Sequence, residues 1–183
     1  MGKRSNFERV ERDFYPTPYK AVEPLIRHLP KRQFAFAEPC AGDGALVEHI
    51  ENVTSGWCSW ASDLEPQNKS ILTRNFREVG MEELFEADYI ITNPPWRRDI
   101  LHPMIEYFTA YRPTWLLFDA DWIHTKQSIP YMGMLKKVVS IGRVKWIEDS
   151  KGVGKDNCCW YLFDREASEW ETTNNTLFYG RNK

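Results

Sequence analysis

The chain has 183 residues and only four cysteines, Cys40, Cys58, Cys158 and Cys159. No two form a Cys-x-x-Cys pair, and the four histidines, His28, His49, His102 and His124, are scattered. That spacing excludes a zinc knuckle and a disulfide framework. Reduced thiols fit a cytoplasmic protein. No apolar run is long enough to cross a bilayer, and no signal or lipidation motif is present. No membrane partner and no metal are therefore expected. A positive surplus is also lacking: 24 Lys and Arg stand against 26 Asp and Glu, for a net charge of −2. A protein of this balance that grips phosphates needs local basic patches.

What is plentiful is apolar and aromatic content, 42% and 14%, with eight tryptophans. This composition describes a folded chain, not a disordered one. Its length favours a single domain with a sizeable core. Residues 1–13 carry Lys3, Arg4, Arg9 and Arg12 and read as a flexible basic arm. Residues 14–183 read as one domain.

The most informative stretch is Ile90-Ile91-Thr92-Asn93-Pro94-Pro95-Trp96. A short β-rich run ends in turn residues, the pattern of a buried strand that stops abruptly. Two prolines fix φ twice and donate no N–H, and Pro94 pushes Asn93 towards extended backbone. The corner presents the Asn93 carboxamide, the Pro94 carbonyl and the Trp96 ring. The two oxygens can each accept one hydrogen of a planar NH₂ group, and the ring offers a face for a base to stack on. As a purely structural element the same residues would form an ordinary strand-to-loop turn.

Upstream, Phe34-Ala35-Phe36-Ala37 is a short apolar strand followed by Glu38-Pro39-Cys40-Ala41-Gly42-Asp43-Gly44 and a helical run from Ala45. Strand, glycine turn and helix form a nucleotide-binding βα unit. The dinucleotide fingerprint is absent, because its third glycine position holds Val47 and the loop has no cation, so a pyrophosphate is not expected. Asp63 ends a second strand, Trp57 to Ala61, at the spacing where an acid takes ribose hydroxyls. Gln67 to Phe76 has a helical pattern. Thr17 is placed to cap a helix that starts at Pro18 and ends near His28.

Asn93-Pro94-Pro95-Trp96 resembles the Asn/Asp-Pro-Pro-Tyr/Phe/Trp signature of amino-group methyltransferases. Glu38-Pro39-Cys40-x-Gly42-x-Gly44 resembles their S-adenosylmethionine motif. Phe14-Tyr15-Pro16-Thr17 resembles their N-terminal cofactor motif. The resemblance spans about Phe14 to Asp164. It implies an α/β, Rossmann-like, doubly wound sheet of the seven-stranded type, mostly parallel with an antiparallel terminal strand. It implies S-adenosylmethionine as cofactor, held by Phe14, Tyr15, Pro16, Thr17, Glu38, Pro39, Cys40, Gly42, Gly44, Asp63, Asn75 and Asn93. Asn93, Pro94, Pro95 and Trp96 would be the catalytic tetrad. Arg74-Asn75-Phe76 is the nearest match to the family's adenine-contacting step, whose acid is missing here.

The substrate side would be Trp96, Arg97, Arg98, Asp121, Trp122, Lys151 and Lys155. The arginines and lysines would hold phosphates, and Trp122 would wall the base pocket at the carboxyl end of a fifth strand, Thr114–Phe118. Asp119 and Asp121 lack a third ligand and do not read as a metal site. Two short strands, Val144–Glu148 and Cys159–Phe163, would close the sheet around a hairpin loop, and residues 126–137 would contain a short helix.

Few residues follow Phe163, so a bare catalytic domain of the phage type, without a target-recognition domain, is expected, active in a host cytoplasm if phage-encoded. The implied activity is DNA adenine-N6 methylation. The alternatives are methylation of RNA adenine or another planar amine, and an inert nucleic-acid-binding subunit of the same fold. Enzymes that methylate protein glutamine usually carry an N-terminal helical domain, and the short N-terminus argues against them.

Overall fold

The structure is a computed structural model that describes residues 15–146, 154, 156–165 and 176–180. The proposed arm at 1–13, together with Phe14, Lys151 and Lys155, lies outside the described residues. The chain runs α1 (Tyr19–Ile26), β1 (Phe34–Glu38), α2 (Ala45–Val53), β2 (Gly56–Asp63), β3 (Leu72–Thr73), β4 (Tyr89–Thr92), α3 (Arg98–Phe108), β5 (Thr114–Asp119), β6 (Leu135–Arg143), β7 (Asn157–Phe163) and β8 (Leu177–Tyr179). The sheet order is β3-β2-β1-β4-β5-β7-β6-β8. Strands β1 to β5 pair in parallel, β7 runs antiparallel to β5 and β6, and β8 is parallel to β6.

This is a Rossmann-like sheet, as expected, with eight strands and its antiparallel strand, β7, set two places inside the edge, with β6 and β8 beyond it. Strand order reverses between β1 and β4, and in such sheets ligands bind at the carboxyl ends beside that reversal. Glu38 ends β1 there, and Asn93 follows β4.

Burial explains the strands. Every residue of β1 is buried, as are all but the last of β5, which is the continuous apolar pattern of strands covered on both faces. One face packs on α1 and α2 through Val22, Leu25, Leu46 and Ile50. The other packs on α3 through Leu101, Ile105, Met104 and Phe108.

The helix expected over Gln67–Phe76 does not form. Gln67 N–H donates to Gly42 O at 2.9 Å, and Asn68 Oδ1 accepts from Ser70 N at 3.0 Å and Ser70 Oγ at 2.8 Å. Short polar side chains here satisfy the backbone locally and compete with the helix. A cavity of about 620 Å³ flanks this segment, lined by Val47, Glu51, Cys58, Trp60 and Ile71 among others. The third strand is only two residues long.

Of the strand expected at Val144–Glu148, residues 144–146 lie outside any strand and 147–148 lie outside the described residues. The first strand of the closing hairpin is Leu135–Arg143. Lys136 and Lys137 obscure its apolar alternation, and it bulges at Gly142, where φ is +84°. Residues Lys126–Tyr131 form a 3-10 helix.

Gly56 starts β2 against the ring of Phe34. A methyl group there would come within 2.4 Å of Phe34 Cζ, and Phe34 is buried. Gly56→Ala is expected to destabilise the fold by about 1–3 kcal/mol. Thermal unfolding should register this as about 2–4 °C for each kcal/mol; an unchanged melting temperature would mean the ring moves freely.

Candidate active site

The glycine turn is held from three sides. Ala41 N–H donates to Ser62 O at 2.9 Å, and Gly44 N–H to Ala41 O at 2.7 Å. Gly42 N–H donates to Asp63 Oδ2 at 2.9 Å. Gly42 and Gly44 have φ of +54° and +93°, a region in which only glycine sits without strain. Asp63 thus latches the loop, and its other oxygen accepts Glu65 N at 2.8 Å. Burial raises its pKa, while the Gly42 and Leu64 amides oppose the rise. Pro39 is buried and Cys40 half-buried, while the buried Thr92 Oγ1 at the end of β4 has no hydrogen-bond partner.

Glu38 is 1% exposed, and its Oε2 has no hydrogen-bond partner. Burial raises its pKa well above the ordinary carboxylate range, and Asp63 and Asp43 add to the rise. Only the Val47 amide opposes it. A buried carboxyl with an orphan oxygen at a sheet reversal is built for a cation or a strong donor.

At β4 the Asn93 carboxamide is clamped at both ends. Asn93 Nδ2 donates to Thr17 Oγ1 at 3.2 Å, and Asn93 Oδ1 accepts from Trp96 Nε1 at 3.3 Å. The same indole N–H donates to Leu117 O at 3.1 Å. Thr17, 5% exposed, therefore does not cap α1, whose N-cap position is Pro18. Pro94 is buried, and Pro95 and Trp96 are half-buried. The Trp96 ring packs against the core on both faces of the sheet and stands edge-on to Trp146, with centroids 5.7 Å apart at 83°. Sequence reasoning assigned no role to Trp146 or Leu117.

The remaining expected site residues scatter. Arg97 pairs with Asp99 at 2.6 Å on the surface, and Arg98 bonds Gln127. Asn75 Oδ1 accepts Arg77 N at 3.1 Å and closes a capping box with Glu78, so its local task is to start a 3-10 helix. Tyr15 is half-buried, Pro16 and Asp121 are exposed, and Asp121 N–H donates to Asp119 Oδ1 at 3.0 Å.

Trp122 requires a correction. It is 1% exposed, surrounded by Phe118, Tyr161 and Phe163, and its N–H donates to His102 Nε2 at 2.9 Å. A ring enclosed in the core offers no face to a base. Position at a strand end placed it correctly, but side-chain direction sent it inward.

Among the described residues no group of three His, Cys, Asp or Glu side chains gathers to hold a metal. No helix among them is long and apolar enough to cross a membrane.

The fold is that of S-adenosylmethionine-dependent methyltransferases. No family model and no curated protein sequence matches the chain. Among solved structures it is similar to a Pyrococcus horikoshii protein provisionally assigned as an RNA methyltransferase. Identity is 14% and the TM-score 0.58, over 89% of this chain and 93% of the other. It is also similar to a dimethyladenosine transferase from Plasmodium falciparum, at 15% identity and TM-score 0.52, over 85% of this chain. The chain spans 64% of that relative's length. A precorrin-6y C5,15-methyltransferase from Geobacter metallireducens is similar at 11% identity and TM-score 0.53, over 79% and 87% of the two chains. The fold thus serves nucleic-acid and small-molecule methylation alike.

The residues present fit the cofactor that this fold implies. Glu38 offers an uncompensated carboxylate to a cation, the two glycines leave the loop bare, and the half-buried Asp63 retains lone pairs for hydroxyls.

Because the folded chain holds the Glu38 proton to higher pH than the unfolded chain, stability should fall as pH rises above the ordinary carboxylate value. Glu38→Gln is therefore expected to raise the melting temperature of the ligand-free protein at pH 8, with the gain fading towards pH 4. The same variant should bind S-adenosylmethionine at least about tenfold more weakly in calorimetry, having lost a charged partner. A lower melting temperature at pH 8 would show that the carboxylate is paired in the folded chain.

Proposed function

We propose that this chain is a DNA adenine-N6 methyltransferase that takes its methyl group from S-adenosylmethionine. The observation that carries the reading is the clamped Asn93 carboxamide at the end of β4, one strand away from the orphaned Glu38 carboxyl. Their strands are in register, Ala37 lying opposite Ile90. When bound, S-adenosylmethionine supplies an electrophilic methyl on a positively charged sulfur. Glu38, Gly42, Gly44 and Asp63 would hold it, with Thr17 and Pro39 at the margins.

The adenine amine is a poor nucleophile because its lone pair is delocalised into the ring. Asn93 Oδ1 and the Pro94 carbonyl each accept one of its hydrogens, which favours a pyramidal nitrogen with the lone pair free. Those bonds strengthen as positive charge grows on nitrogen, so they stabilise the transition state more than the ground state. Holding the amine in line contributes the rest. The surplus proton leaves to water after transfer. A base in duplex DNA must first leave the stack, at a cost of a few kcal/mol, and Trp96 presents the face that receives it.

RNA adenine is the second reading, favoured by the naming of the Pyrococcus horikoshii protein. One assay covers both. DNA and RNA oligonucleotides are incubated with the protein and cofactor, digested to nucleosides and analysed by mass spectrometry. N6-methyldeoxyadenosine is the expected product. Asn93→Ala should lower turnover by about 100-fold or more, the scale of losing one preorganised hydrogen-bonding group. Retained turnover in that variant, folded, would sink the assignment.

A further inference from the structure

The indole of Trp96 does more than offer a face. An indole nitrogen donates and cannot accept, so the carboxamide atom turned towards it has to be oxygen. The opposite end of Asn93 meets the Thr17 hydroxyl, which accommodates either orientation. Trp96 is therefore the residue that chooses between the two flips of the amide. It is itself fixed by the second bond to Leu117 O and by the edge contact with Trp146. Trp146 in turn lies under Gly154, where an added methyl would meet Trp146 Cδ1 at 3.3 Å and Val144 O at 2.7 Å.

We propose that Trp96 is a specificity-determining positioning residue: its N–H locks the Asn93 carboxamide oxygen-forward, so the corner takes bases that present an amine and refuses those that present a carbonyl. This rests on the reading that the corner binds a nucleobase. A carboxamide oxygen has two lone pairs, so the Trp96 bond leaves one for the incoming amine. A base carrying a carbonyl at the same place needs Asn93 Nδ2 instead. Turning the amide would set its NH₂ against the indole N–H, donor against donor, and give up the Trp96–Asn93 bond, while the indole keeps Leu117 O. Exchanging a hydrogen bond for two facing donors is worth roughly a factor of ten in binding. Phenylalanine at 96 would keep a stacking face and lose the selection.

The test compares wild type with Trp96→Phe on two oligonucleotides that differ only in the target, adenine or hypoxanthine, which carries a carbonyl where adenine has its amine. Wild type should bind the adenine oligonucleotide about tenfold or more tightly in a titration, and Trp96→Phe should reduce that preference severalfold. Turnover on adenine should fall about tenfold while KM moves less than about twofold, since the ring face remains. NMR gives a readout apart from activity. The Asn93 side-chain NH₂, assigned by its loss in Asn93→Asp, should exchange with solvent at least about tenfold faster in Trp96→Phe. An unchanged adenine preference, or a wild-type Asn93 amide exchanging as fast as an exposed asparagine, would overturn the lock. If wild type methylates no adenine yet keeps the preference, the catalytic reading fails and the lock stands. Should Trp96→Phe not fold, Thr17→Val loosens only the other end of the clamp: the Asn93 NH₂ should exchange faster while the adenine preference persists, and a lost preference would overturn the lock.

Discussion

The carbonyl of Leu117 is the point on which the corner turns. In the parallel ladder between β4 and β5, Ile90 N–H donates to Pro113 O at 3.0 Å. Donors recur every second residue along a strand, so the Thr92 N–H falls to Trp115 O, and residue 94 should serve Leu117. Residue 94 is proline and has no N–H. The ladder is thus cut one bond short inside a buried sheet, where an unpaired carbonyl is costly. The indole N–H of Trp96, two residues on, fills the gap at 3.1 Å. The diproline ends the strand, and the tryptophan repairs what the diproline breaks. Asn93 lies between the two, which is why its side chain has so little freedom.

The neighbouring strand makes the opposite bargain. Glu38 is enclosed with no partner for one oxygen and with Asp63 and Asp43 close enough to raise its pKa further. Burying such a group weakens the ligand-free fold. The fold tolerates it because β1 is otherwise wholly apolar and covered on both faces. Under the proposed function, stability sacrificed at one atom would become affinity for a cationic cofactor. Asp63, whose carboxylate is spread over backbone amides, performs the structural task that Glu38 leaves undone.

The sheet was legible because buried strands are written in runs such as Trp115 to Phe118, and the two loops were legible because glycine and proline restrict the backbone in ways no neighbour can override. Where the reading missed, side chains competed with backbone patterns. Asn68 and Ser70 consumed the hydrogen bonds a helix would have used, and two lysines hid the start of β6. The tryptophans show the limit most clearly. Trp96 and Trp122 both follow strand ends, yet one half-faces the corner and the other is sealed among Phe118, Tyr161 and Phe163. Sequence places a residue at an edge, and the packing on either face decides where its ring points. The Thr17–Asn93 bond joins residues 76 positions apart, a separation that no local pattern encodes.

The arginines beside the corner connect this geometry to a chain with no overall positive charge. Arg97 and Asp99 form an ion pair whose side chains are 57% and 62% exposed. A pair so open to water contributes little to stability. Asp99, its pKa lowered chiefly by its hydrogen bond from Arg97, therefore holds the guanidinium ready without binding it firmly. Under the proposed function a backbone phosphate would offer the same fork two oxygens and a comparable charge, so exchanging Asp99 for it would cost little. An arginine already paired in the free protein would attract polyanions less indiscriminately, and would act at full strength only where a phosphate lay beside the Asn93 corner.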